Sequence, residues 1–259
     1  MIRFTDVRKK FGRLAVLRGI DLQLTPARVT AIVGPNAAGK STLIRCILGL
    51  TRPDSGGITL PDGRDVRLPA ARAGIGYMPQ TPSFPENLTG HEVLAMLDAL
   101  RPDVVPDNSL LERFEFAAQL DKPVRILSGG TRQKLSAVIA FRYRPTLLIL
   151  DEPTAGLDPL SASVFKAAVM AARDAGTTVL LTTHVVAELS VLADEIVFLL
   201  DGMIRFAGPV PELLHQTGQA SLDDALTTLM RSPLDGIPPS ALSDAVPAPR
   251  LQVVRERHA

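Results

Sequence analysis

Nine consecutive residues near the N-terminus have the types and spacing of a phosphate-binding loop. The segment Gly34-Pro35-Asn36-Ala37-Ala38-Gly39-Lys40-Ser41-Thr42 fits the pattern G-x-x-x-x-G-K-[ST], and it joins an apolar strand to a segment of helical periodicity. Glycines let the backbone turn several N–H groups toward one phosphate, and the helix adds its positive N-terminal end. In such a loop Lys40 reaches the terminal phosphates and the hydroxyl of Ser41 binds Mg²⁺. This motif predicts a nucleotide site.

Two adjacent carboxylates follow a second apolar strand. Asp151 and Glu152 come directly after Leu147–Leu150. The end of a parallel strand is where such a sheet opens to its ligand, and neighbouring carboxylates repel each other there unless a cation binds one of them. We expect Asp151 to hold Mg²⁺ through water, and Glu152 to accept a proton from the attacking water.

A second glycine-containing loop lies between these two motifs. Ser128, Gly129 and Gly130 open a predicted helix, Ser128–Arg142, in which Ser128 is the N-cap. Glycines are poor helix formers, so their presence here indicates a close approach of the backbone to a phosphate. One nucleotide does not need two such loops from one chain. The simplest hypothesis is that this loop serves a nucleotide held by another subunit.

The three motifs, in this order, resemble those of the nucleotide-binding subunits of ABC (ATP-binding cassette) transporters. The resemblance covers about residues 1–215. It implies an α/β fold of the P-loop NTPase type, with an N-terminal antiparallel β subdomain, a mostly parallel core sheet and an inserted helical subdomain. It also implies ATP and Mg²⁺ as ligands, and a Leu-Ser-Gly-Gly motif that binds the ATP of a partner subunit.

Four further positions match the family in order and spacing. The resemblance places Phe11 against adenine and gives Gln80 contacts with Mg²⁺ and the attacking water. It assigns Asp158 to a loop that crosses the dimer interface and to ATP binding. It makes His184 the switch histidine that contacts the γ-phosphate. With Glu152, Gln80 and His184 form the predicted catalytic set.

Two residues depart from the usual family pattern. Ala37 stands where glycine is usual, which is a small change provided that its φ is negative. Thr131 replaces the glutamine that most often closes the signature. Because Lys40, Ser41 and the acidic pair are intact, we expect activity.

Periodicity divides the rest of the chain. Strand and helix patterns alternate after residue 146, which is typical of a parallel sheet covered by helices. A helical insertion is predicted at about 81–145, with a capping box at Thr89 and Glu92 and a helix over Asp107–Leu120. We predict one cassette domain over 1–231, and a disordered tail over the proline-rich residues 232–259.

Composition restricts the class of protein. The net charge is +1, which gives no reason to expect nucleic-acid binding, and the single cysteine excludes an internal disulfide. No stretch reaches the roughly 18 apolar residues of a membrane span. The single cysteine and the lack of a span favour a cytoplasmic protein. The resemblance implies that it is peripheral on the inner membrane and works as a homodimer or paired cassette on a separate permease.

The cargo is left with several alternatives. The segments 76–80, 84–89 and 127–134 resemble the copper-processing ATPases of nitrous-oxide reductase maturation, which work with a permease and a periplasmic accessory protein. The alternative is a drug, lipid or polysaccharide exporter cassette, and Ala220–Leu226 is similar to a segment common in exporters. A non-transport ABC ATPase and a non-catalytic cassette are further hypotheses. The short insertion and absent cysteine cluster argue against the former, and the intact catalytic set argues against the latter.

Overall fold

A computed structural model describes residues 1–231, and the predicted tail 232–259 lies outside them. Two sheets are formed within this range. The first has the spatial order β2-β1-β4 and is antiparallel, and the second has the order β5-β6-β7-β3-β8-β9 with only β9 antiparallel to its neighbour. The strands are β1 Ile2–Phe11, β2 Leu14–Leu24, β3 Val29–Val33, β4 Ser55–Thr59, β5 Ile75–Met78, β6 Leu147–Asp151, β7 Thr178–Thr182, β8 Glu195–Leu200 and β9 Met203–Pro209. The predicted α/β fold is confirmed.

The larger sheet is buried on both faces, which explains its nearly continuous apolar strands. Alternate residues of β3 enter different clusters: Val29 and Ala31 pack with helices on one side, and Ile32 packs with the antiparallel sheet on the other. The helices are α1 Lys40–Ile47, α2 Gly90–Ala99, α3 Ser109–Arg113, α4 Gly129–Phe141, α5 Pro159–Asp174, α6 Val186–Leu192, α7 Val210–Thr217 and α8 Leu222–Arg231. None of them has the length and apolarity of a membrane span.

The predicted helix over Asp107–Leu120 is wrong. The segment contains the short α3 and then a single 3₁₀ turn over Ala117–Gln119. Glu115 has φ 52°, which no right-handed helix accommodates, and it lies between two phenylalanines. Phe114 and Phe116 are both buried and meet edge to face. Residues two apart point to different sides of a helix, so burying both rings in one core requires the break.

Local hydrogen bonding follows the predicted signals at two helix starts. Thr89 accepts from the backbone of Glu92, whose carboxylate accepts from the Thr89 backbone, which is a complete capping box at α2. Ser128 caps α4 through the backbone N–H of Thr131. These two caps begin the main helices of the segment between β5 and β6, which lies where the helical insertion is predicted.

An ion pair fastens α2 to the end of α4. Arg142 is buried and donates to both carboxylate oxygens of Asp98, at 2.8 and 2.6 Å. Arg142 also donates to Asn108, and the Tyr143 hydroxyl donates to Asp98. A bidentate pair of this kind fixes orientation as well as distance. It therefore sets how α2 sits on α4.

The turn between β3 and α1 contains a left-handed alanine. Ala37 has φ 66°, so the condition of a negative φ, under which alanine was expected to be harmless, is not met. An L-residue in this region has its Cβ too close to the following carbonyl oxygen, at a cost of roughly 1–2 kcal/mol. Glycine, the usual family residue, has no such contact. The loop is therefore strained at Ala37.

Replacing Ala37 by glycine should stabilise the protein. Ala37→Gly removes the strain but gives the unfolded chain more freedom, so we expect a net gain of about 0.5–1 kcal/mol in the free energy of unfolding. Urea denaturation at constant m-value measures it. Ala38→Gly is the matched control, because Ala38 is buried without a positive φ, and it should destabilise. Equal destabilisation by both changes would contradict a left-handed Ala37.

Removing the charge of Asp98 should loosen the insertion in a pH-dependent manner. Hydrogen bonding to Arg142 holds the pKa of Asp98 below its ordinary value. A carboxylate with a lowered pKa contributes stability above its unfolded pKa, about 3.9, and loses it as pH falls through the folded value. Asp98→Asn should cost about 2 kcal/mol at pH 7, and the difference should shrink below about pH 4.

Stability curves from pH 3 to 8 test this expectation. Asp103→Asn is the control, since Asp103 is an exposed carboxylate in the same segment. It should leave the curve within about 0.5 kcal/mol of wild type. A pH-independent loss in Asp98→Asn would mean that the pair does not depend on the charge of Asp98.

Candidate nucleotide site

Four neighbouring parallel strands end at one edge of the larger sheet, and each is followed by predicted site residues. The strands lie in the order β5-β6-β7-β3. Their ends match to within one residue, since Met78 pairs with Leu150, Asp151 pairs with Thr182, and Thr182 pairs with Ile32. Gln80 follows β5, the acidic pair ends β6, His184 follows β7 and the phosphate loop follows β3. The sheet thus brings together residues that are far apart in sequence.

The phosphate loop is seated closely against the rest of the fold. A Cβ on Gly34 would lie 2.0 Å from the carbonyl oxygen of Leu199, so only glycine fits there. The Lys40 ammonium donates to the carbonyl oxygens of Gly34 at 2.7 Å and Pro35 at 3.0 Å. Burial lowers the pKa of Lys40, while the charges of Glu152 and Asp151 raise it. The lysine therefore lies within electrostatic reach of the acidic pair.

Glu152 is held between the two other residues of the predicted catalytic set. Gln80 Nε2 donates to one of its carboxylate oxygens at 2.7 Å, and His184 Nε2 lies 2.8 Å from the other. The Glu152 backbone has φ 48° and donates to the Thr182 carbonyl at 3.1 Å. Left-handed backbone at a residue with a long side chain is a strained feature that is common at functional sites.

Thr182 is a site residue that the sequence analysis did not single out. Its hydroxyl donates to Asp151 Oδ1 at 2.5 Å and accepts from the Glu152 backbone at 3.2 Å. The bond to Thr182 orients the Asp151 carboxylate. The available signal was a hydroxyl at the end of an otherwise apolar strand. It could not be used without knowing that β7 lies beside β6.

The Ser128 loop forms a second group. The Ser128 hydroxyl accepts from the Thr131 backbone at 3.1 Å and pairs with the Thr131 hydroxyl at 2.8 Å. A Cβ on Gly130 would lie 2.9 Å from the Gly156 carbonyl oxygen, whereas one on Gly129 would meet nothing within 4 Å. Packing within the chain therefore accounts for Gly130 but not for Gly129. A side chain at position 129 would point into open space.

Two predicted site residues have structural partners of their own. Asp158 caps α5 by accepting from the backbone and hydroxyl of Ser161, and these bonds, together with Lys134 3.5 Å away, lower its pKa to about 2. Phe11 lies at the end of the β1–β2 hairpin, 52% exposed, with the Lys9 ammonium 5.3 Å from its ring centre. Within residues 1–231, no hydrogen bond or ion pair joins Phe11, Asp158 or the Ser128 loop to the phosphate loop.

A cleft of about 430 Å³ separates the segment after Gln80 from the start of α4. Its walls come from two segments near the start and the middle of the proposed insertion, within 80–86 and 124–133, and from the loop before α5. Its lining includes Gln80, Phe84, Arg125, Gly129, Gln133 and Gly156. The cleft begins at Gln80 and reaches the Ser128 loop. A molecule that filled it would contact both Gln80 and this loop.

Comparison with protein-family models gives one match, to the ABC transporter family, over residues 17–155. Among curated proteins, the daunorubicin resistance ATP-binding protein DrrA3 of Streptomyces coeruleorubidus is 37% identical, covering 87% of this chain and 73% of its own. The lipopolysaccharide export system ATP-binding protein LptB of Acidithiobacillus ferridurans is 34% identical, covering 83% of this chain and 92% of its own.

Solved structures give the same result. The ATP-binding subunit of an ABC transporter superposes with a TM-score of 0.82 at 29% identity, covering 89% of this chain and all of that one. A dimeric ATP-binding cassette in a post-hydrolysis state, bound to ADP and phosphate, has a TM-score of 0.70 at 22% identity, covering 79% of this chain and 96% of that chain, and shows the shared fold. The chain is a member of the ABC transporter family and carries that family's ATP-binding cassette.

Proposed function

We propose that the chain hydrolyses ATP between two cassettes arranged head to tail, with Glu152 as the general base. The observation that carries this proposal is the position of the Glu152 carboxylate between Gln80 and His184, at the sheet edge that also bears the phosphate loop. A carboxylate fixed from both sides can receive a proton from a water molecule aimed at the γ-phosphate. Gln80 and His184 then orient that water and the phosphate.

The residues around the phosphates have complementary tasks. Backbone N–H groups of the non-proline residues in 34–42 bind the phosphate oxygens, and Lys40 exchanges its bonds to loop carbonyls for bonds to the β- and γ-phosphates. Phe11 stacks on adenine at the exposed end of its hairpin. The charged lysine and the positive end of α1 favour the anion over water.

The residues assigned to Mg²⁺ have the right chemistry for that ion. Ser41, Gln80 and Asp151 offer hydroxyl, amide and carboxylate oxygens, which are the hard ligands that Mg²⁺ takes. The Gln80 amide nitrogen is engaged by Glu152, so its amide oxygen is the atom that can ligate a cation. When bound, Mg²⁺ neutralises charge on the phosphates. Thr182 keeps the Asp151 carboxylate oriented toward this role.

The Ser128 loop completes the site of a second cassette. Gly129 is glycine without a packing reason in its own chain, and Ser128 and Gly130 lie at the positive end of α4, where an anion binds favourably. ATP bridging two chains binds the closed dimer better than the open one and shifts the population toward closure. Loss of the γ-phosphate removes those contacts and lets the dimer reopen.

We assign this motor to the cytoplasmic face of the inner membrane, where it drives a separate permease that docks beside the cleft at Gln80. Drug resistance, Nod factor export and lipopolysaccharide export are the tasks named for similar proteins, and these favour an exporter. Those names do not support copper processing or a periplasmic partner. The copper hypothesis rests only on the resemblance of the segments 76–80, 84–89 and 127–134.

The Glu152→Gln variant should bind ATP and fail to turn it over. The amide keeps the shape but cannot accept the proton of water, so we expect the steady-state rate to fall by roughly 10²–10⁴-fold with the ATP affinity retained. Phosphate release and fluorescent-nucleotide titration measure the two quantities. Glu112→Gln, the same change at an exposed position, should behave as wild type. Turnover near the wild-type rate in Glu152→Gln would remove Glu152 from the role of base.

The shared site predicts a steep dependence of activity on protein concentration. If each ATP needs two chains, the specific activity should rise with concentration until the dimer saturates. Light scattering on the wild-type samples gives the fraction of dimer at each concentration. The Glu152→Gln variant with ATP, in which the dimer is trapped, gives the reference value for a full dimer. A constant specific activity in a stable monomer would rule out the head-to-tail mechanism.

A further inference from the structure

Glu188 is a buried carboxylate that lies beside the proposed catalytic residues and has no role in the mechanism above. It lies on α6 and is 6% exposed. One carboxylate oxygen accepts from the Thr154 hydroxyl at 2.5 Å and lies 3.6 Å from the Lys166 ammonium. The other accepts from the Thr183 hydroxyl at 3.0 Å. A charge this deep is costly unless each oxygen is hydrogen-bonded, and here both are.

The two oxygens hold two different loops. Thr154 follows Glu152 by two residues, on the segment after β6, and Thr183 directly precedes His184, on the segment after β7. One rigid carboxylate therefore spans the two segments that carry the base and the switch histidine. The 2.8 Å approach of His184 to Glu152 is made between those same segments.

The bond to Thr183 also shapes the backbone around His184. A hydroxyl has one proton, and that of Thr183 is donated to Glu188. Its oxygen is then turned to accept, and it takes the backbone N–H of Val185 at 3.1 Å. Glu188, Thr183 and Val185 thus form a chain of hydrogen bonds that closes the turn containing His184. If Glu188 lost its acceptor, the hydroxyl would be free to rotate and the turn would loosen.

We propose that Glu188 is a positioning residue for hydrolysis, which sets His184 against Glu152 by holding Thr183 with one oxygen and Thr154 with the other. The proposal rests on the proposed function, because it assumes that Glu152 and His184 act in turnover. Glu188 itself touches neither nucleotide nor water in this role. Its effect is on the rate of the chemical step and not on ATP binding.

The chain supplies a matched control. Glu195, at the start of β8, is 8% exposed and also accepts from two threonine hydroxyls, Thr25 at 2.7 Å and Thr30 at 3.1 Å. It lies at the opposite edge of the sheet from the proposed site, since β8 is parallel to β3. Glu195→Gln and Glu188→Gln remove the same kind of acceptor from the same kind of environment. Only the second disturbs the loops of Glu152 and His184.

The test compares kcat and ATP affinity in the full chain. An amide has one acceptor oxygen and one donor nitrogen, so in Glu188→Gln one of the two threonine hydroxyls loses the acceptor for its proton. We expect kcat to fall by roughly 10–100-fold, as misplacement of a catalytic group does. The ATP affinity should stay within about twofold, and Glu195→Gln should keep kcat within about threefold of wild type. Equal loss of kcat in both variants, or none in Glu188→Gln, would overturn the proposal.

Substitutions at Thr183 keep the test decisive if Glu188→Gln does not fold. Thr183→Val removes the hydroxyl at constant shape and should lower kcat as Glu188→Gln does, whereas Thr183→Ser keeps the hydroxyl and should preserve kcat. Wild-type kcat in Thr183→Val, or equal loss in both Thr183 variants, would overturn the proposal.

A double-mutant comparison separates this proposal from the proposed function. If Glu188 acts through His184, Glu188→Gln should cause little further loss of kcat, less than about threefold, in a His184→Ala chain. A full additional loss there would overturn the positioning role and leave the proposed mechanism standing. Wild-type turnover in His184→Ala alone would remove His184 from the mechanism, and the positioning role with it.

Discussion

The carboxyl ends of four adjacent parallel strands are the constraint on which the rest of this molecule depends. Parallel strands carry their loops to the same edge, and crossover helices carry the chain back to begin again. Because β5, β6, β7 and β3 are neighbours, an amide, two carboxylates, an imidazole and a phosphate loop meet at that edge.

Two of the non-glycine residues with left-handed backbone within residues 1–231 lie at the same edge. Ala37 and Glu152 both have left-handed φ, and they lie in the loops that follow β3 and β6. Each of these conformations destabilises the folded state, and the packing of the sheet beneath the loops offsets that cost. At Glu152 the strained backbone accompanies a carboxylate that Gln80 and His184 hold in a fixed orientation. At Ala37 the structure offers no corresponding gain.

The Ser128 loop is held in place differently from the loops at this edge of the sheet. Ser128 and Thr131 satisfy the start of α4 from within the chain, and Gly130 makes room for the Gly156 carbonyl. Gly129 faces open space. This open glycine at a helix start is the feature on which the proposed shared site depends.

The sequence by itself determined the local chemistry and the local structure. The phosphate loop, the acidic pair and the caps at Thr89 and Ser128 depend on neighbours within a few residues, so spacing was enough to find them. The order of the strands in the sheet could not be predicted from spacing. For that reason the hydrogen bond between Thr182 and Asp151 could not be predicted either. Glu188 was invisible for the same reason, because a carboxylate on an amphipathic helix is usually solvated. The sign of φ at Ala37 and the break at Glu115 were also decided by packing around them. Tertiary structure decided these features because each depends on which distant segment lies alongside.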